Sequence, residues 1–400
     1  MNRAVRPAVG DILRYIMGRK AGMIELLRRM IEAESPSNDP QSQQPVRELI
    51  ANQLEELDYR VRRIPGKRSG GMLFACPGSR RRGQAVQLIL GHYDTVWPRG
   101  TLSAMPFTVD EDTIRGPGVY DMKGGIVQAL MALDALRHFG IDPPVSPLVF
   151  LNSDEEVGSR ESTRYITRLA PLVNRTLVLE PSLGPAGQLK TARKGIARFT
   201  VTVSGVAAHA GLDPGKGASA ILELSHVIQS LFAMNDLERG ITVNVGTIDG
   251  GLRPNVVAPV SQAVVDVRVV TEADGRYVER AIRNLAPATA GTSLKIEGGF
   301  GRPAMERTPA NRQLWRMAMR LGSDLGLNLE QALAGGGSDG NTTSLYSATL
   351  DGLGAVGEGA HAAHEHLKIQ ATLERAALLA LLLAADPLDS AATVNSADVA

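Results

Sequence analysis

Histidine and carboxylate side chains follow three apolar segments of this 400-residue sequence, at the point where each segment ends. His92 and Asp94 follow the first segment, Glu155 and Glu156 the second, and Glu180 the third. Zinc accepts imidazole and carboxylate ligands, and a carboxylate can also bridge two metal ions. The residue types therefore indicate a metal centre, provided that the fold brings them together.

Two further residues extend this set. Asp121 precedes a predicted helix, and His361 lies in a loop after the apolar segment 353–356. Each has an ordinary structural interpretation on its own, since an aspartate often caps a helix and a loop histidine is often solvated. Several carboxylates at one place are costly unless cations offset their charge. The combination therefore favours a metal centre over separate structural roles.

The three apolar segments are predicted strands, at 86–90, 145–151 and 176–179, and a helix is predicted from Lys123 to His138. Apolar strands that alternate with helices are typical of a mostly parallel sheet flanked by helices, an α/β fold. In such sheets, functional groups collect at the carboxyl ends of the strands. The fold thus predicts that the histidine and carboxylate groups share one edge of the sheet.

The pattern changes near residue 197, where strands begin to alternate between apolar and polar residues. Such strands, with helices between them, predict a smaller α+β domain with one solvated sheet face at 197–306. It would be inserted into a discontinuous catalytic domain formed by 1–196 and 307–400. The small polar residues of 389–400 predict a disordered tail.

Composition excludes several classes of protein. Lysine and arginine number 43 against 42 acidic residues, with no basic stripe, so no nucleic-acid partner is expected. The single cysteine, Cys76, excludes an internal disulfide. No segment approaches membrane-spanning length, and charged residues interrupt the apolar residues near the N-terminus. A cytoplasmic protein without a membrane partner is expected.

Seven sequence blocks, in this order, resemble the signature blocks of the aminoacylase/carboxypeptidase family of di-zinc metallopeptidases. The blocks are 92–96 (HYDTV), 116–125 (GPGVYDMKGG), 154–159 (DEEVGS), 179–181 (LEP), 208–211 (AHAG), 253–256 (RPNV) and 335–339 (GGGSD). The likeness runs through nearly the whole chain and is greatest to the bacterial glutamate carboxypeptidases. It implies a zinc-peptidase fold with an inserted domain for dimerisation that also serves as a lid.

The resemblance implies two zinc ions per subunit, with Co²⁺ or Mn²⁺ as possible substitutes because nitrogen and oxygen ligands tolerate several divalent ions. By position, Asp121 would bridge both ions. His92 and Glu180 would complete one metal site, and Glu156 and His361 the other.

Three histidines lie close together near the C-terminal end of the chain, at His361, His364 and His366. Spacing alone does not select the metal ligand among them. The resemblance selects His361, because it follows Gly-Ala and precedes Glu365 by four residues, as the ligand of the family does.

The resemblance also assigns catalytic roles. Glu155 would be the general base that activates a zinc-bound water. Asp94 lies two residues after His92 on the same predicted strand, points the same way and would orient that imidazole. His209 of the inserted domain would reach the active site of the other subunit of a homodimer and stabilise the tetrahedral oxyanion.

Four residues are implied in substrate binding. Arg268 would bind a substrate carboxylate, although a surface ion pair is an equally good interpretation of this arginine. Asn255 would support the oxyanion or the carboxylate. Gly336 and Gly337 belong to a glycine run without the lysine of a phosphate-binding loop, so they would form a loop that approaches the carboxylate end of the substrate.

These assignments predict a hydrolase that cleaves the amide bond next to a carboxylate-bearing amino acid, as a C-terminal glutamate-type carboxypeptidase does. An N-acyl-amino-acid deacylase of the acetylornithine or succinyl-diaminopimelate type, or a dipeptidase, shares the mechanism and stays open as an alternative. A catalytically inactive binding protein is disfavoured, because every expected metal ligand and the base are present.

Overall fold

The computed structural model describes residues 8–388 and divides into two compact units. The first contains the chain up to Thr191, Arg307–Leu333 and the chain from Ser338 onward, and the second contains Ala192–Glu306 and Ala334–Gly337. The predicted disordered tail, 389–400, lies outside the described residues. None of the helices between residues 8 and 388 is long and apolar enough to cross a membrane.

The helices of the described residues are numbered in chain order. They are α1 Val9–Met17, α2 Lys20–Glu32, α3 Gln44–Glu56, α4 Gly124–His138, α5 Thr163–Leu169, α6 Ala220–Phe232, α7 Glu272–Arg283, α8 Pro309–Asp324, α9 Asp339–Thr343 and α10 Ile369–Ala384. Three of these helices, α1, α2 and α3, lie within residues 8–58. The chain leaves the helical conformation after α1 and again between α2 and α3, where Pro36 and Pro40 lack the backbone N–H that a helix interior needs.

The strands are numbered in the same way. They are β1 Tyr59–Ile64, β2 Met72–Pro77, β3 Val86–His92, β4 Thr108–Val109, β5 Thr113–Arg115, β6 Ser146–Asn152, β7 Arg175–Val178, β8 Leu189–Arg193, β9 Gly195–Ser204, β10 Thr242–Gly250, β11 Val260–Val269, β12 Ser293–Arg302, β13 Gln331–Ala334, β14 Ala348–Leu350, β15 Gly357–Glu358 and β16 His366–Lys368.

The main sheet of the first unit has six strands in the order β1-β2-β6-β3-β7-β14. Strands β6, β3, β7 and β14 run parallel to one another. At one edge, β2 pairs antiparallel with β6, and β1 pairs antiparallel with β2. His92 at the end of β3 pairs with Asn152 at the end of β6, and Leu90 pairs with Val178 at the end of β7. The carboxyl ends of these three strands therefore lie side by side.

Apolar side chains cover both faces of this sheet. Leu88 and Leu90 of β3 pack in a core that includes Ile166 of α5, whereas Ile89 between them packs in the larger core. That larger core also contains residues of α1, α2, α3, α4, α8 and α10. Alternate side chains of a strand point to opposite faces, so a strand with two covered faces must be apolar throughout. The predicted mostly parallel α/β fold is confirmed.

The second unit contains a four-stranded antiparallel sheet in the order β10-β11-β9-β12. Phe199, Val201 and Val203 of β9 are buried in a core shared with residues of α6 and α7, and the residues between them are less buried. The alternation places one apolar face toward the helices. Strands β10 and β12 form the two edges of the sheet.

Candidate metal centre

Five side chains reach the carboxyl edge of the main sheet from five separate segments. His92 ends β3, Glu156 lies in the helical turn that follows β6, and Glu180 lies two residues after β7. Asp121 lies in the turn Val119–Lys123 immediately before α4, and His361 follows β15. Their order along the chain does not make them neighbours; the adjacent ends of the parallel strands do.

The first group of potential ligands consists of His92, Asp121 and Glu180. Nε2 of His92 lies 3.5 Å from Oδ1 of Asp121 and 3.5 Å from Oε1 of Glu180. The side chain of His92 is 1% exposed, so these atoms meet away from bulk solvent. Such a group offers one nitrogen and two oxygen ligands at one point.

The second group consists of Asp121, Glu156 and His361. Nε2 of His361 lies 3.4 Å from Oδ2 of Asp121 and 3.1 Å from Oε2 of Glu156. Neither His364 nor His366 belongs to a potential ligand group of the described residues. Instead, Nδ1 of His366 lies 3.0 Å from the backbone carbonyl of His364.

Asp121 is common to both groups, and each of its oxygen atoms faces a different one. Oδ1 faces His92, and Oδ2 faces His361. Oδ1 is buried and has no hydrogen-bond partner within residues 8–388. A buried carboxylate oxygen without a donor is costly, and a cation would satisfy it.

The geometry and the ligand types fit divalent metal ions. Zinc binds histidine nitrogen and carboxylate oxygen at about 2.0–2.2 Å, so ligand atoms around a tetrahedral ion lie about 3.4 Å apart. The separations of 3.1–3.5 Å within the two groups agree with that spacing. A candidate divalent metal site is therefore present at the edge of the sheet.

The histidines of the two groups balance the negative charge of the carboxylates. Hydrogen bonds to Asp121 and Glu156 raise the pKa of His361 to about 10. Burial acts to lower the pKa of His92, but its carboxylate partners outweigh burial and raise that pKa well above the usual value. Burial raises the pKa of Glu156 to about 7. The pocket favours positive charge, which is what a metal ion supplies.

Hydrogen bonds hold the ring of His92 in one orientation. Nδ1 of His92 lies 3.0 Å from the backbone carbonyl of Asp94 and 3.3 Å from Oδ1 of the same residue. A carbonyl oxygen only accepts hydrogen bonds, so Nδ1 carries a proton, and Nε2 would present its lone pair to a metal ion bound in place of the Nε2 proton. Asp94 also accepts hydrogen bonds from the backbone N–H groups of Glu155 and Glu156 and from the hydroxyl of Ser37.

Glu155, the sequence-predicted base, lies beside Glu156 in the same helical turn. The backbone N–H groups of both residues donate to Asp94, at 3.3 Å each. Asp94 thus connects the orientation of the His92 ring with the position of this turn. Ser37 was not singled out in the sequence analysis, because nothing in its local sequence indicates its contact with Asp94.

The remaining sequence-predicted residues lie in the second unit. Nδ1 of His209 accepts hydrogen bonds from the backbone N–H groups of Gly211 and Leu212, both at 3.1 Å. Asn255 lies beside it, since the backbone N–H of Ala210 donates to the carbonyl of Asn255 at 3.0 Å. Neither residue belongs to the two ligand groups.

Arg268 is paired with an aspartate of its own strand. Its Nε and Nη2 donate to the two carboxylate oxygens of Asp266, at 2.7 and 3.2 Å, and its Nη1 donates to the carbonyl of Gly335 at 3.2 Å. Arg193 donates to the carbonyl of the next residue, Gly336. These contacts explain why the glycine loop containing Gly336 and Gly337 groups with the second unit.

Comparisons with known proteins agree with this architecture. Residues 191–292 match the peptidase dimerisation domain of the M20 peptidases. The chain is 27% identical over 373 residues to carboxypeptidase G2 of Pseudomonas sp. (strain RS-16). The aligned region covers 90% of this chain and 88% of that relative. These matches support the likeness to the aminoacylase/carboxypeptidase family of metallopeptidases that the sequence blocks indicate.

Solved structures of peptidases share the fold of this chain. The aminopeptidase PepT of Bacillus cereus is similar with a TM-score of 0.75 and 18% identity, over 93% of this chain and 98% of that structure. An M20 family metallo-carboxypeptidase of Sulfolobus solfataricus has a TM-score of 0.66 and 17% identity, over 91% of this chain and 98% of that structure. The predicted resemblance to the aminoacylase/carboxypeptidase family is confirmed, as is the predicted class of enzyme, a hydrolase acting on peptide C–N bonds.

One residue that supports the candidate metal centre was missed at the level of sequence. Glu365, noted there only for its spacing from His361, is 0% exposed and binds the loop that precedes Asp121. That loop needs glycine at position 118, because its φ is 78° and a Cβ there would lie 2.7 Å from Cγ2 of Thr95. The glycine-rich block 116–125 was a signal that the loop is tightly held.

Proposed function

We propose that this protein is a di-zinc carboxypeptidase that releases a glutamate-like C-terminal amino acid from a peptide or an acylated substrate. The observation that carries the proposal is the position of Asp121, whose two oxygens face His92 and His361 in separate ligand groups. A carboxylate with this arrangement is suited to bridge two ions about 3.5–4 Å apart. The similarity to carboxypeptidase G2 supports the preference for a C-terminal residue.

His92 and Glu180 would hold one ion, Glu156 and His361 the other, and Asp121 both. Zinc in such a site supplies Lewis acidity, which lowers the pKa of water to about 7 and polarises a carbonyl group. Co²⁺ and Mn²⁺ are alternatives for the same nitrogen and oxygen ligands. Asp94 would keep the lone pair of His92 Nε2 directed at its ion, through the hydrogen bonds at Nδ1.

Glu155 would act as the general base. It would accept a proton from the attacking water and pass it to the nitrogen of the leaving amine, so that the C–N bond breaks with release of a neutral amino group. Its neighbour Glu156 faces His361 and would be committed to metal binding. The hydrogen bonds from two backbone N–H groups to Asp94 support this arrangement, because they hold the turn that carries Glu155.

His209 would stabilise the oxyanion of the tetrahedral intermediate. Because Nδ1 of His209 accepts two backbone hydrogen bonds, the proton of the neutral ring resides on Nε2, and Nε2–H is the available donor. In the proposed homodimer, His209 would serve the active site of the other subunit, with Asn255 supporting the oxyanion or the substrate carboxylate. The match of residues 191–292 to a peptidase dimerisation domain supports this assembly.

Arg268 would bind the carboxylate of the substrate. A guanidinium has five N–H donors, and contacts within the second unit use three of those of Arg268. One N–H on each terminal nitrogen remains, which suits a bidentate carboxylate. Gly336 and Gly337, next to the carbonyl that Arg268 binds, would allow the substrate backbone to approach closely.

The test is a hydrolysis screen of the zinc-loaded protein against matched substrate pairs. Each pair would carry the same acyl group, either benzoyl, folyl or an aminoacyl group, on glutamate and on glutamate α-amide, with a chelator-treated sample as the control. We expect chelator-sensitive release of glutamate from the free acids only. Equal turnover of acid and amide would contradict the proposed carboxypeptidase activity. Preference for N-acetyl or N-succinyl amino acids would instead identify the protein as a deacylase.

A further inference from the structure

The carboxylate of Glu365 collects four hydrogen bonds in the fully buried interior of the first unit. Its Oε1 accepts from the backbone N–H groups of Tyr120 and Asp121, at 2.9 and 3.0 Å. Its Oε2 accepts from the backbone N–H of Gly118 at 2.9 Å and from the indole Nε1 of Trp97 at 2.8 Å. Three of the four donors thus belong to the loop that ends in Asp121.

Glu365 is also tied to the segment that carries His361. The backbone N–H of Glu365 donates to the carbonyl of Ala362 at 2.9 Å, and the N–H of Ala362 donates to the carbonyl of Gly359 at 2.9 Å. These bonds form a compact turn around His361. One residue therefore connects the two segments that supply Asp121 and His361 to the second ligand group, although these ligands lie far apart in the sequence.

We propose that Glu365 is a positioning residue of the metal centre, which holds Asp121 in its bridging place before any ion binds. This inference rests on the proposed metal centre. A flexible loop would have to be ordered at the moment of metal binding, and the cost of that ordering would reduce affinity. The hydrogen bonds from three backbone N–H groups of the loop remove that cost in advance, since one of them comes from Asp121 itself.

Glu365→Gln is the direct test, because a glutamine of the same shape keeps only one acceptor oxygen. Its NH₂ group would face N–H donors in place of the second oxygen and leave them unsatisfied. We expect the Zn²⁺ affinity of the site formed by Asp121, Glu156 and His361 to fall by about 10–100-fold. Competition with a chromophoric chelator measures this affinity. The effect should appear in binding itself, independently of turnover.

Glu223→Gln is the matched control. Glu223 is also 0% exposed, and its carboxylate also accepts backbone N–H groups, those of Ala288 and Thr289. It lies in the second unit, whereas both ligand groups of the described residues lie in the first. We expect both variants to lose thermal stability, because each leaves buried N–H donors unsatisfied, while the Zn²⁺ affinity of Glu223→Gln stays within about threefold of the wild type.

Zn²⁺ affinity of Glu365→Gln equal to that of the wild type would overturn the inference and leave the metal centre standing. A wild-type protein that binds no Zn²⁺ would overturn the proposed function and the inference with it. If Glu365→Gln does not fold, hydrogen exchange of the metal-free wild type tests the inference instead. Slow exchange of the Gly118, Tyr120 and Asp121 amides supports the inference, and rapid exchange overturns it.

Discussion

Glu155 and Glu156 are adjacent in the sequence and have identical side chains, yet their surroundings differ. The carboxylate of Glu156 lies 3.1 Å from the imidazole of His361 and is 7% exposed, so it is placed among the potential metal ligands. Glu155 belongs to neither ligand group of the described residues. At the scale of single residues, this difference separates a carboxylate that would hold metal from one that would transfer protons.

Replacing Glu155 with glutamine tests the role of proton acceptor. An amide of nearly the same shape cannot accept the proton, so we expect kcat to fall by at least about 10²–10⁴-fold. Metal content, measured by elemental analysis, should remain near that of the wild type. Substantial residual turnover would remove Glu155 from the mechanism, and loss of metal would place it among the ligands.

Replacing His209 with alanine tests the oxyanion donor. Loss of one such donor costs about 10²–10³-fold in kcat, and we expect a decrease of that size with unchanged zinc content. His226→Ala is the control, because His226 is an exposed histidine of α6 in the same unit. An unaffected rate in His209→Ala would contradict the assignment.

At the scale of elements, a buried arginine joins the sheet to α10. Arg175 of β7 is 0% exposed and donates to the backbone carbonyls of Leu382, Ala385 and Asp386 at the C-terminal end of that helix. Its Nε donates to Gln87 of β3. Burial lowers the pKa of Arg175 to about 10, which still leaves it charged at neutral pH. A positive charge at this end of a helix is favourable, and the guanidinium donates to carbonyls in the last turn of the helix and just beyond it.

Arg175→Met should therefore destabilise the first unit. The carbonyls that lose their donor remain buried, and we expect the free energy of unfolding in urea to fall by about 3 kcal/mol. Arg316→Met, at an exposed position of α8, should change it by less than about 0.5 kcal/mol. Equal stability of the two variants would show that water or rearranged side chains replace the contacts of Arg175.

At the scale of the whole molecule, the second unit has an unpaired sheet edge with apolar residues. Strand β10 lies at the edge of its sheet, and Ile248 within it is 67% exposed. Leu252, just after the strand, is 72% exposed. Exposed apolar residues along an open strand edge are typical of a surface that pairs with another chain. This surface is consistent with the proposed homodimer.

Ile248→Glu should convert the proposed dimer to a monomer, since a charge would be buried without a partner at the strand edge. Sedimentation velocity measures the change, and we expect at least a tenfold increase in the dissociation constant with unchanged zinc content. Leu172→Glu, at a leucine of the first unit that is 70% exposed, serves as the control and should leave the assembly unchanged. A wild-type protein that sediments as a monomer at all concentrations would contradict the dimer.

The sequence by itself determined the α/β class and the segments that carry potential ligands, because periodicity and residue type act locally. Strands β3, β6 and β7 were predictable from their apolar runs, as were the positions of His92 and Glu180 just after two of those runs. The tertiary structure decided which atoms meet. Packing between distant segments places His361 rather than His364 beside Asp121 and Glu156, gives each oxygen of Asp121 its own neighbour, and brings Glu365 to the backbone of Asp121.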